Sequence, residues 1–488
     1  MNNIFDKLKN YSDSDYYAFH MPGHKRNLDL MNGTSPYRID ITEIDGFDDL
    51  HHAEGILRDA QERAARVYHA DETHFLVNGS TVGILSAILG TTEKGDSILV
   101  ARNCHKSVYH AIYLNELDPV YLYPKFDTEQ GLSTEIDAAD VQKALEEHPK
   151  IRAVMIVSPT YDGVVSDIEK IAEIVHAKGC PLIVDEAHGA HFGFDPYFPK
   201  SANIYGADLV INSLHKTLPA LTQTALLHVN GDMVKRRKVK QYLDMLQTSS
   251  PSYILMASID ACIGMLEETL ETHSDARSDY KYKNIFSEYA NRIEALRKDL
   301  KRLKYLKIIQ TDNTDRYDRS KFVISVKHAP MSSHELYEIL LHRYHLQMEM
   351  LAGTYVLAMT TVGDTQEGLD RLRDALLEID KEIDTKQGRP AAIETDLPLS
   401  GRQPALEKVW TIAEAVNRRD KIQKRSFEDS IGCISVEYAY LYPPGSPLIV
   451  PGERITKEAV EVLHWYQEHD FSIEGLQSED GIEVWIDG

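Results

Sequence analysis

Short apolar runs alternate with amphipathic stretches through the first half of the chain. The apolar runs lie at 97–101, 153–157, 181–185 and 208–212, and each has the length of a buried strand. Helical periodicity appears in between, at 57–68, 82–90, 138–148 and 167–179. This strand–helix alternation predicts a mainly parallel sheet with helices on both faces, and therefore an α/β fold.

The pattern changes beyond about residue 275. A long charged helix leads into a second set of elements: an apolar run at 321–326, a helix at 333–344, runs at 346–351 and 354–360, and a helix at 366–379. The Pro- and Gly-rich segment 384–404 is a candidate linker. We therefore predict an N-terminal arm with loops (1–56), a large domain (57–310), a small α/β domain (311–385) and a C-terminal α+β domain (386–488).

Charge and composition narrow the classes of function. The chain has 488 residues and a net charge of −23, which argues against a nucleic-acid partner but suits a small cationic substrate. The four cysteines form no CxxC pair, the first residues lack a signal-peptide core, and no run of about 18 apolar residues could span a membrane. These features predict a soluble cytoplasmic protein without a membrane partner.

The stretch LIVDEAHGAHFGF, from Leu182 to Phe194, allows three interpretations. Its DEAH letters occur in a helicase family, but the chain has no GxxxxGK[ST] phosphate loop. Asp185, His188 and His191 could be metal ligands, but they lack a spacing such as HExxH, so we predict no metal site. In the third interpretation, Asp185 faces the ring nitrogen of pyridoxal phosphate.

Pyridoxal phosphate requires a lysine for covalent attachment, an acid at the ring nitrogen and a phosphate site at a helix start. Asp185 ends an apolar run, and Lys216 follows one strand–helix unit later. Gly79, Ser80 and Thr81 precede an apolar helix, where N–H groups and hydroxyls can bind an anion. Each feature also has a simpler explanation: a turn or helix cap for the aspartate, an N-cap for the NGST string, and a solvated surface position for the lysine.

The order of several longer strings resembles one family, the fold-type-I pyridoxal-phosphate decarboxylases of ornithine, lysine and arginine. The strings are FHMPGHKRN, TEIDGFDDLH, VNGSTVGILSAI, ARNCHKSVYHA, SPTYDGVVSDI, DEAHGAHFGF, NSLHKTLPALTQTALLHV, TSSPSYILMASID and YPPGSPLIVPGE. The resemblance implies the aspartate-aminotransferase-like fold and decarboxylation of a basic amino acid.

The resemblance also implies roles for individual residues. Lys216 would carry the cofactor as a Schiff base, Asp185 would bind the pyridinium nitrogen, and His105 would stack on the ring opposite Ala187. The other implied cofactor contacts are Gly79, Ser80, Thr81, Thr160, His188 and Ser213, with Thr248 and Ser249 reaching the phosphate from a neighbouring subunit. His215 would be a catalytic residue near the substrate. The active site would therefore require a homodimer or a larger homo-oligomer.

Two departures from the longer members of the family stand out. Those members carry an N-terminal wing domain that supports a large ring assembly, whereas about twenty residues precede HMPGHK here, so we expect that domain to be absent. They also have Trp after the Asp-x-Ala of the cofactor strand, where this chain has His188. This exchange is expected to alter the wall of the substrate pocket.

The substrate and the proton donor remain open at this level. The cationic side chain of a substrate requires a carboxylate, and the candidates are Asp45, Asp48, Asp49 and Glu453. The short form favours arginine, then lysine, then ornithine, and either His215 or Lys216 could protonate the product carbon. Another fold-type-I enzyme, an aminotransferase or aldolase, is the alternative activity, and a cofactor-binding pseudoenzyme is a second alternative.

Overall fold

The fold was examined in a computed structural model, which describes residues 11–30, 36–271, 281–309, 314–385, 403–418, 420–441, 445–469 and 471–486. Its centre is a seven-stranded sheet in the order β2-β10-β9-β8-β7-β3-β4. The strands are β2 (Glu72–Leu76), β3 (Ser97–Ala101), β4 (Asp118–Leu122), β7 (Ile151–Val157), β8 (Leu182–Asp185), β9 (Leu209–Asn212) and β10 (Ala225–Val229).

This sheet is mainly parallel, as predicted. The pairs β3–β4, β3–β7, β7–β8 and β8–β9 are parallel, and β10 runs antiparallel to both of its neighbours. The parallel arrangement brings the carboxyl ends of β3, β7, β8 and β9 to one edge, where open α/β sheets bind their ligands.

Helices cover both faces of the sheet because both faces are apolar. Adjacent residues of β2 show this alternation, since Phe75 belongs to one apolar cluster and Leu76 to another. The helices of this part are α1 (Ile56–Val67), α2 (Gly79–Thr91), α3 (Lys106–Leu114), α4 (Ala138–Glu147), α5 (Ile168–Ala177), α6 (Leu214–Thr217), α7 (Arg236–Leu246) and α8 (Tyr253–Glu271).

A second, four-stranded sheet follows in the order β11-β12-β15-β14. Its elements and neighbours are α9 (Ile285–Leu300), β11 (Lys307–Ile308), β12 (Lys321–Ser325), α10 (Ser333–His342), β13 (Leu346–Met348), β14 (Met350–Ala352), β15 (Tyr355–Met359) and α11 (Gln366–Thr385). The run predicted at 346–351 is divided between β13 and β14, and Glu349 lies at the junction. Strand β13 pairs in parallel with β1 (Tyr17–Phe19), which ties the N-terminal arm to this unit.

The last part of the chain forms a five-stranded and a three-stranded antiparallel sheet. Its elements are β16 (Glu407–Lys408), α12 (Ile412–Asn417), β17 (Ile422–Arg425), β18 (Ile434–Ser435), β19 (Ala439–Leu441), β20 (Pro447–Ile449), β21 (Glu453–Arg454), α13 (Lys457–Glu468), β22 (Ile473–Glu474) and β23 (Ile482–Trp485). Residues 386–402 of the linker predicted at 384–404 lie outside the described residues. A two-stranded ribbon, β5 (Phe126–Asp127) with β6 (Leu132–Ser133), completes the set.

Candidate active site

Asp185 and Lys216 come together because their strands are parallel neighbours. Asp185 is the last residue of β8, and Lys216 lies in α6, directly after β9. The Asp185 carboxylate is buried and accepts the Ala187 N–H at 3.1 Å. Burial raises the pKa of Asp185, while the nearby positive charge of Lys216 lowers it. The pair therefore combines a buried acid with a half-buried amine at the sheet edge where open α/β sheets bind their ligands.

His188 is the direct hydrogen-bond partner of the lysine. The Lys216 Nζ and His188 Nε2 atoms are 3.0 Å apart, and the Tyr161 ring lies 4.4 Å from the His188 ring. Burial holds the pKa of His188 well below its usual range, so its imidazole is neutral at pH 7. Its Nδ1 is buried and has no hydrogen-bond partner among the described residues. An uncompensated polar atom of this kind is suited to a polar ligand.

His105 supplies a second neutral ring to the same cluster. It caps α3, and its Nδ1 accepts the Ser107 N–H at 3.3 Å. Burial, with the positive charges of Lys216 and Lys106, lowers the pKa of His105 to about 3. A neutral imidazole can stack on an aromatic ring without the cost of burying a charge.

The first turn of α2, beside this cluster, has the features of an anion site. The helix begins at Gly79, whose φ of +74° is in the left-handed region that favours glycine, and Asn78 provides no side-chain cap. The first-turn N–H groups are therefore available to an anion. The Ser213 hydroxyl donates to the Ser80 hydroxyl at 2.9 Å, which brings both hydroxyls to this helix end, and Thr81 is exposed.

Three further predicted residues border the cluster. The Nδ1 of His215 lies 2.9 Å from the Thr224 carbonyl, and burial lowers the pKa of His215 to about 4. The Thr160 hydroxyl accepts the Val164 N–H at 3.0 Å in the turn after β7, and Ala187 is buried two residues beyond Asp185.

The segment containing Thr248 and Ser249 is exposed, but it begins close to the anion site of the same chain. The Thr248 N–H donates to the Asn78 side-chain oxygen at 3.1 Å, and the Thr248 carbonyl lies 2.9 Å from His51 Nε2. Both residues are exposed, and the Thr248 hydroxyl accepts the Ser250 N–H at 3.3 Å.

The four predicted substrate carboxylates are not grouped in one place. Asp45 is exposed, and the Asp49 carboxylate accepts the His51 N–H at 2.9 Å. Burial tends to raise the pKa of Asp48, but its acceptance of four backbone N–H groups lowers the value to about 2, which indicates a loop-organising role. Glu453 is fully buried and bonded to Arg102 at 3.0 Å.

Glu349 is a carboxylate of this site that the sequence analysis missed. It accepts the Met21 N–H at 2.9 Å and the Tyr161 hydroxyl. Its negative charge acts on Lys216, where, like Asp185, it opposes the lowering of the lysine pKa by burial. The sequence feature that could have identified Glu349 is a single acid between two methionines in the apolar run LQMEML. An acid is unusual in a buried strand.

The chemical groups of this site fit pyridoxal phosphate. It combines an amine, a buried acid, two neutral imidazole rings and an uncapped helix start with two hydroxyls. Among the described residues, no group of three His, Cys, Asp or Glu side chains could hold a metal ion. In that same part of the chain, no helix is long and apolar enough to cross a membrane.

Glu186, the neighbour of Asp185 in the chain, is a buried carboxylate whose titration gives a pH prediction. Its buried carboxylate accepts the Ala202 N–H and hydrogen bonds from Ser201 and Asn212, and burial raises its pKa to about 7. The pKa of Glu186 is higher in the folded protein than its usual value of 4.5, so protonation of Glu186 stabilises the fold. This contribution to the free energy of unfolding is fully present below pH 4.5 and is lost as the pH rises through 7. Relative to Glu186→Gln, the natural protein should lose about 3 kcal/mol of unfolding free energy over that range.

Urea denaturation of both proteins from pH 4.5 to 7.5 measures this difference. Glu173→Gln, a change at an exposed position of α5, is the control and should follow the natural protein. Equal pH dependence in the Glu186→Gln variant and the natural protein would show that Glu186 is ionised throughout.

The fold is that of the fold-type-I enzymes that depend on pyridoxal phosphate, and the groups of the candidate site suit that cofactor. Sequence comparison then gives the family: residues 2–339 match "Orn/Lys/Arg decarboxylase, major domain" and residues 402–484 match "Orn/Lys/Arg decarboxylase, C-terminal domain". The chain belongs to the Orn/Lys/Arg decarboxylase family. This confirms the resemblance read from the sequence motifs.

Individual relatives agree with this assignment. The chain is 36% identical to the uncharacterized protein YaaO of Bacillus subtilis over 94% of this chain and 93% of YaaO. It is 31% identical to the arginine decarboxylase of the same organism, over 94% and 92% of the two chains. Lysine decarboxylase LdcA of Pseudomonas aeruginosa is 25% identical over 54% of this chain and 40% of LdcA. The solved structure of lysine decarboxylase A from Pseudomonas aeruginosa has the same fold, with a TM-score of 0.76 at 20% identity over 99% and 80% of the two chains.

Proposed function

We propose that this decarboxylase converts arginine to agmatine and CO2. The observation that carries the proposal is the extent of similarity: an arginine decarboxylase matches over 94% of this chain, whereas a lysine decarboxylase matches over 54%. Lysine and ornithine are the alternative substrates, with cadaverine and putrescine as their products.

Pyridoxal phosphate is the cofactor, and we propose for it the contacts that the family resemblance implies, which the positions of these residues support. Lys216 would hold it covalently, Asp185 would face its ring nitrogen, and His105 and Ala187 would lie on opposite faces of the ring. Gly79, Ser80, Thr81 and Ser213 would bind the phosphate, because helix N-termini and hydroxyls suit an anion. His188 and Thr160 would line the pocket beside the ring.

When bound, the cofactor supplies an electron sink for the bond to the leaving carboxylate. Asp185, in its charged form, would hold a proton on the ring nitrogen, since an opposite charge favours protonation of that nitrogen. Lys216 would return a proton to the substrate Cα through its Nζ, and His215 is the alternative donor. Neutral His188, 3.0 Å from Lys216, would accept or donate a hydrogen bond without adding a competing charge.

Glu349 is the carboxylate that we propose for the cationic side chain of the substrate. It is half-buried, its charge acts on Lys216, and the Tyr161 hydroxyl orients it. A planar guanidinium can bind such a carboxylate through two parallel hydrogen bonds, whereas an ammonium binds it as a point charge. Asp45, Asp48, Asp49 and Glu453 remain candidates from the sequence, but Asp48 and Glu453 already have close partners within the chain.

We also propose a homodimer or a larger homo-oligomer in which Thr248 and Ser249 of one subunit reach the phosphate site of the next. Both residues are exposed, which supports this role. Thr81, in the first turn of α2, is exposed, which also supports completion of the phosphate site by a second subunit.

A competition assay tests the substrate. Purified protein with pyridoxal phosphate is incubated with equal arginine, lysine and ornithine, and the amines are identified by mass spectrometry. Agmatine should dominate. Cadaverine or putrescine as the main product would replace arginine by lysine or ornithine, and no amine from a protein with bound cofactor would exclude all three substrates.

Glu349→Gln tests the proposed contact with the substrate side chain. Losing one charge-assisted contact should raise KM for arginine by about 10-fold or more and leave cofactor binding intact. Glu338→Gln, at a partly exposed position of α10 where the carboxylate pairs with His342, is the matched control. An unchanged KM in the Glu349→Gln variant would move the side-chain contact to one of the other carboxylates.

A further inference from the structure

His105 lies in the short loop between β3 and α3. Hydrogen bonds fix the backbone of this loop at nearly every residue. The Arg102 N–H donates to the Leu122 carbonyl at 2.7 Å, and the Tyr109 hydroxyl donates to the Arg102 carbonyl at 2.7 Å. The Cys104 N–H donates to the Ala101 carbonyl at 3.0 Å. These contacts come from the large sheet and from α3.

The C-terminal part of the chain supplies the contacts on both sides of His105. The Ser446 hydroxyl donates to the Asn103 carbonyl at 2.8 Å, two residues before the imidazole. The Lys106 N–H, one residue after it, donates to the Gly445 carbonyl at 3.1 Å. The backbone that sets the direction of the His105 side chain is therefore held by residues more than 330 positions away along the chain.

A buried ion pair fixes the segment that makes these contacts. The Arg102 guanidinium donates to the Pro447 carbonyl, to the Leu448 carbonyl at 3.2 Å and to the Glu453 carboxylate at 3.0 Å. The same carboxylate accepts the Val450 N–H at 2.9 Å. Arg102 and Glu453 are both fully buried, so this pair is protected from screening by salt.

Stability alone does not account for this arrangement. Buried ion pairs contribute little net stability relative to apolar residues of similar volume, because desolvation offsets their attraction. They do impose one geometry, since each partner has few alternative acceptors or donors. Here the imposed geometry fixes segment 445–453 against the loop that carries His105.

We propose that the C-terminal domain positions His105 in the active site, with Ser446 as the direct contact and the Arg102–Glu453 ion pair as its support. Glu453 is then a positioning residue, a different role from the substrate contact predicted from the sequence. The consequence for catalysis rests on the proposed stacking of His105 on the cofactor. The positioning itself concerns the protein alone and can be measured without turnover.

Two variants separate positioning from a general loss of folding. Ser446→Ala removes only the hydroxyl that binds the Asn103 carbonyl, and Glu453→Gln removes the charge that binds Arg102. Ser446→Thr keeps the hydroxyl and should restore the behaviour of the natural protein. Ser430→Ala is the matched control, because its buried hydroxyl donates at 2.6 Å to Phe427 within the C-terminal domain.

The first readout is the rate at which diethyl pyrocarbonate modifies His105. The reaction is carried out on the full chain, with and without cofactor, and peptide mass spectrometry measures the modified fraction. Ser446→Ala and Glu453→Gln should each raise this rate several-fold, while Ser446→Thr and Ser430→Ala should not. An unchanged rate in Ser446→Ala, with a normal melting temperature, would overturn the proposal even if Glu453→Gln fails to fold.

The second readout tests whether the position of His105 affects the reaction. In Ser446→Ala, the circular dichroism of the cofactor band should change and kcat should fall about 10-fold with KM nearly constant, since small displacements of reacting groups affect turnover strongly. A natural protein that forms no amine would refute the proposed function, yet the modification rates would still decide the positioning of His105. A faster His105 modification with unchanged kcat and dichroism would overturn the catalytic part of the inference.

Discussion

Lys216→Ala should abolish decarboxylation and remove the visible absorbance of covalently bound cofactor. The amine at this position is expected both to attach the cofactor and to return a proton to the substrate, and a positioned proton donor alone contributes about 10²–10⁴-fold to rate. We therefore expect turnover to fall by at least about 10³-fold. Absorbance spectra and amine formation, measured on the same samples, check both parts.

Lys143→Ala, an exposed change on α4, is the control for loss of a lysine and should behave as the natural protein does. Full turnover by Lys216→Ala would require a different attachment residue. A lost absorbance band with retained turnover would separate attachment from catalysis, and proton transfer would then be assigned to His215.

Asp185→Asn should retain the cofactor but slow turnover by roughly 10²-fold or more, in the range seen when one electrostatic contact in an active site is removed. Asn preserves the shape of the side chain and can still accept the Ala187 N–H, so the phosphate and lysine contacts are expected to hold. What it loses is the negative charge that favours a protonated ring nitrogen. Cofactor content and kcat, compared in one preparation, measure the two effects separately.

Asp208→Asn is a demanding control because Asp208 is also buried and its carboxylate accepts the Leu182 N–H at 2.7 Å, at the opposite end of β8. That variant should be less stable but should keep its turnover per folded molecule. Equal rates in Asp185→Asn and the natural protein would show that the ring is activated by another group.

The sequence by itself determined the central sheet and its chemistry to a large extent. The strand predicted at 97–101 coincides with Ser97–Ala101, and those at 181–185 and 208–212 agree with β8 and β9 to within one residue. Buried parallel strands appear as continuous apolar runs, so their positions are readable without a structure. The order of these runs then implied that Asp185 and Lys216 would meet at one sheet edge.

Elements with weaker local signals were missed. Strand β2, with the sequence ETHFL, and β4, with DPVYL, contain polar residues or proline and form no continuous apolar run. Strand β1, in the polar N-terminal region, forms only because β13 pairs with it from about 330 residues away. Such strands depend on partners that a local pattern does not contain.

Only the tertiary structure showed which acids are bound within the fold and which lie near Lys216. Glu453 was a reasonable substrate contact as an isolated acid near a glycine, but Arg102 binds it inside the protein. Glu349 appeared to be one polar residue in an apolar run, yet its charge acts on Lys216. The reason is physical: the sequence determines the type of a charged group, whereas its function depends on the burial and the opposing charges that distant segments bring to it.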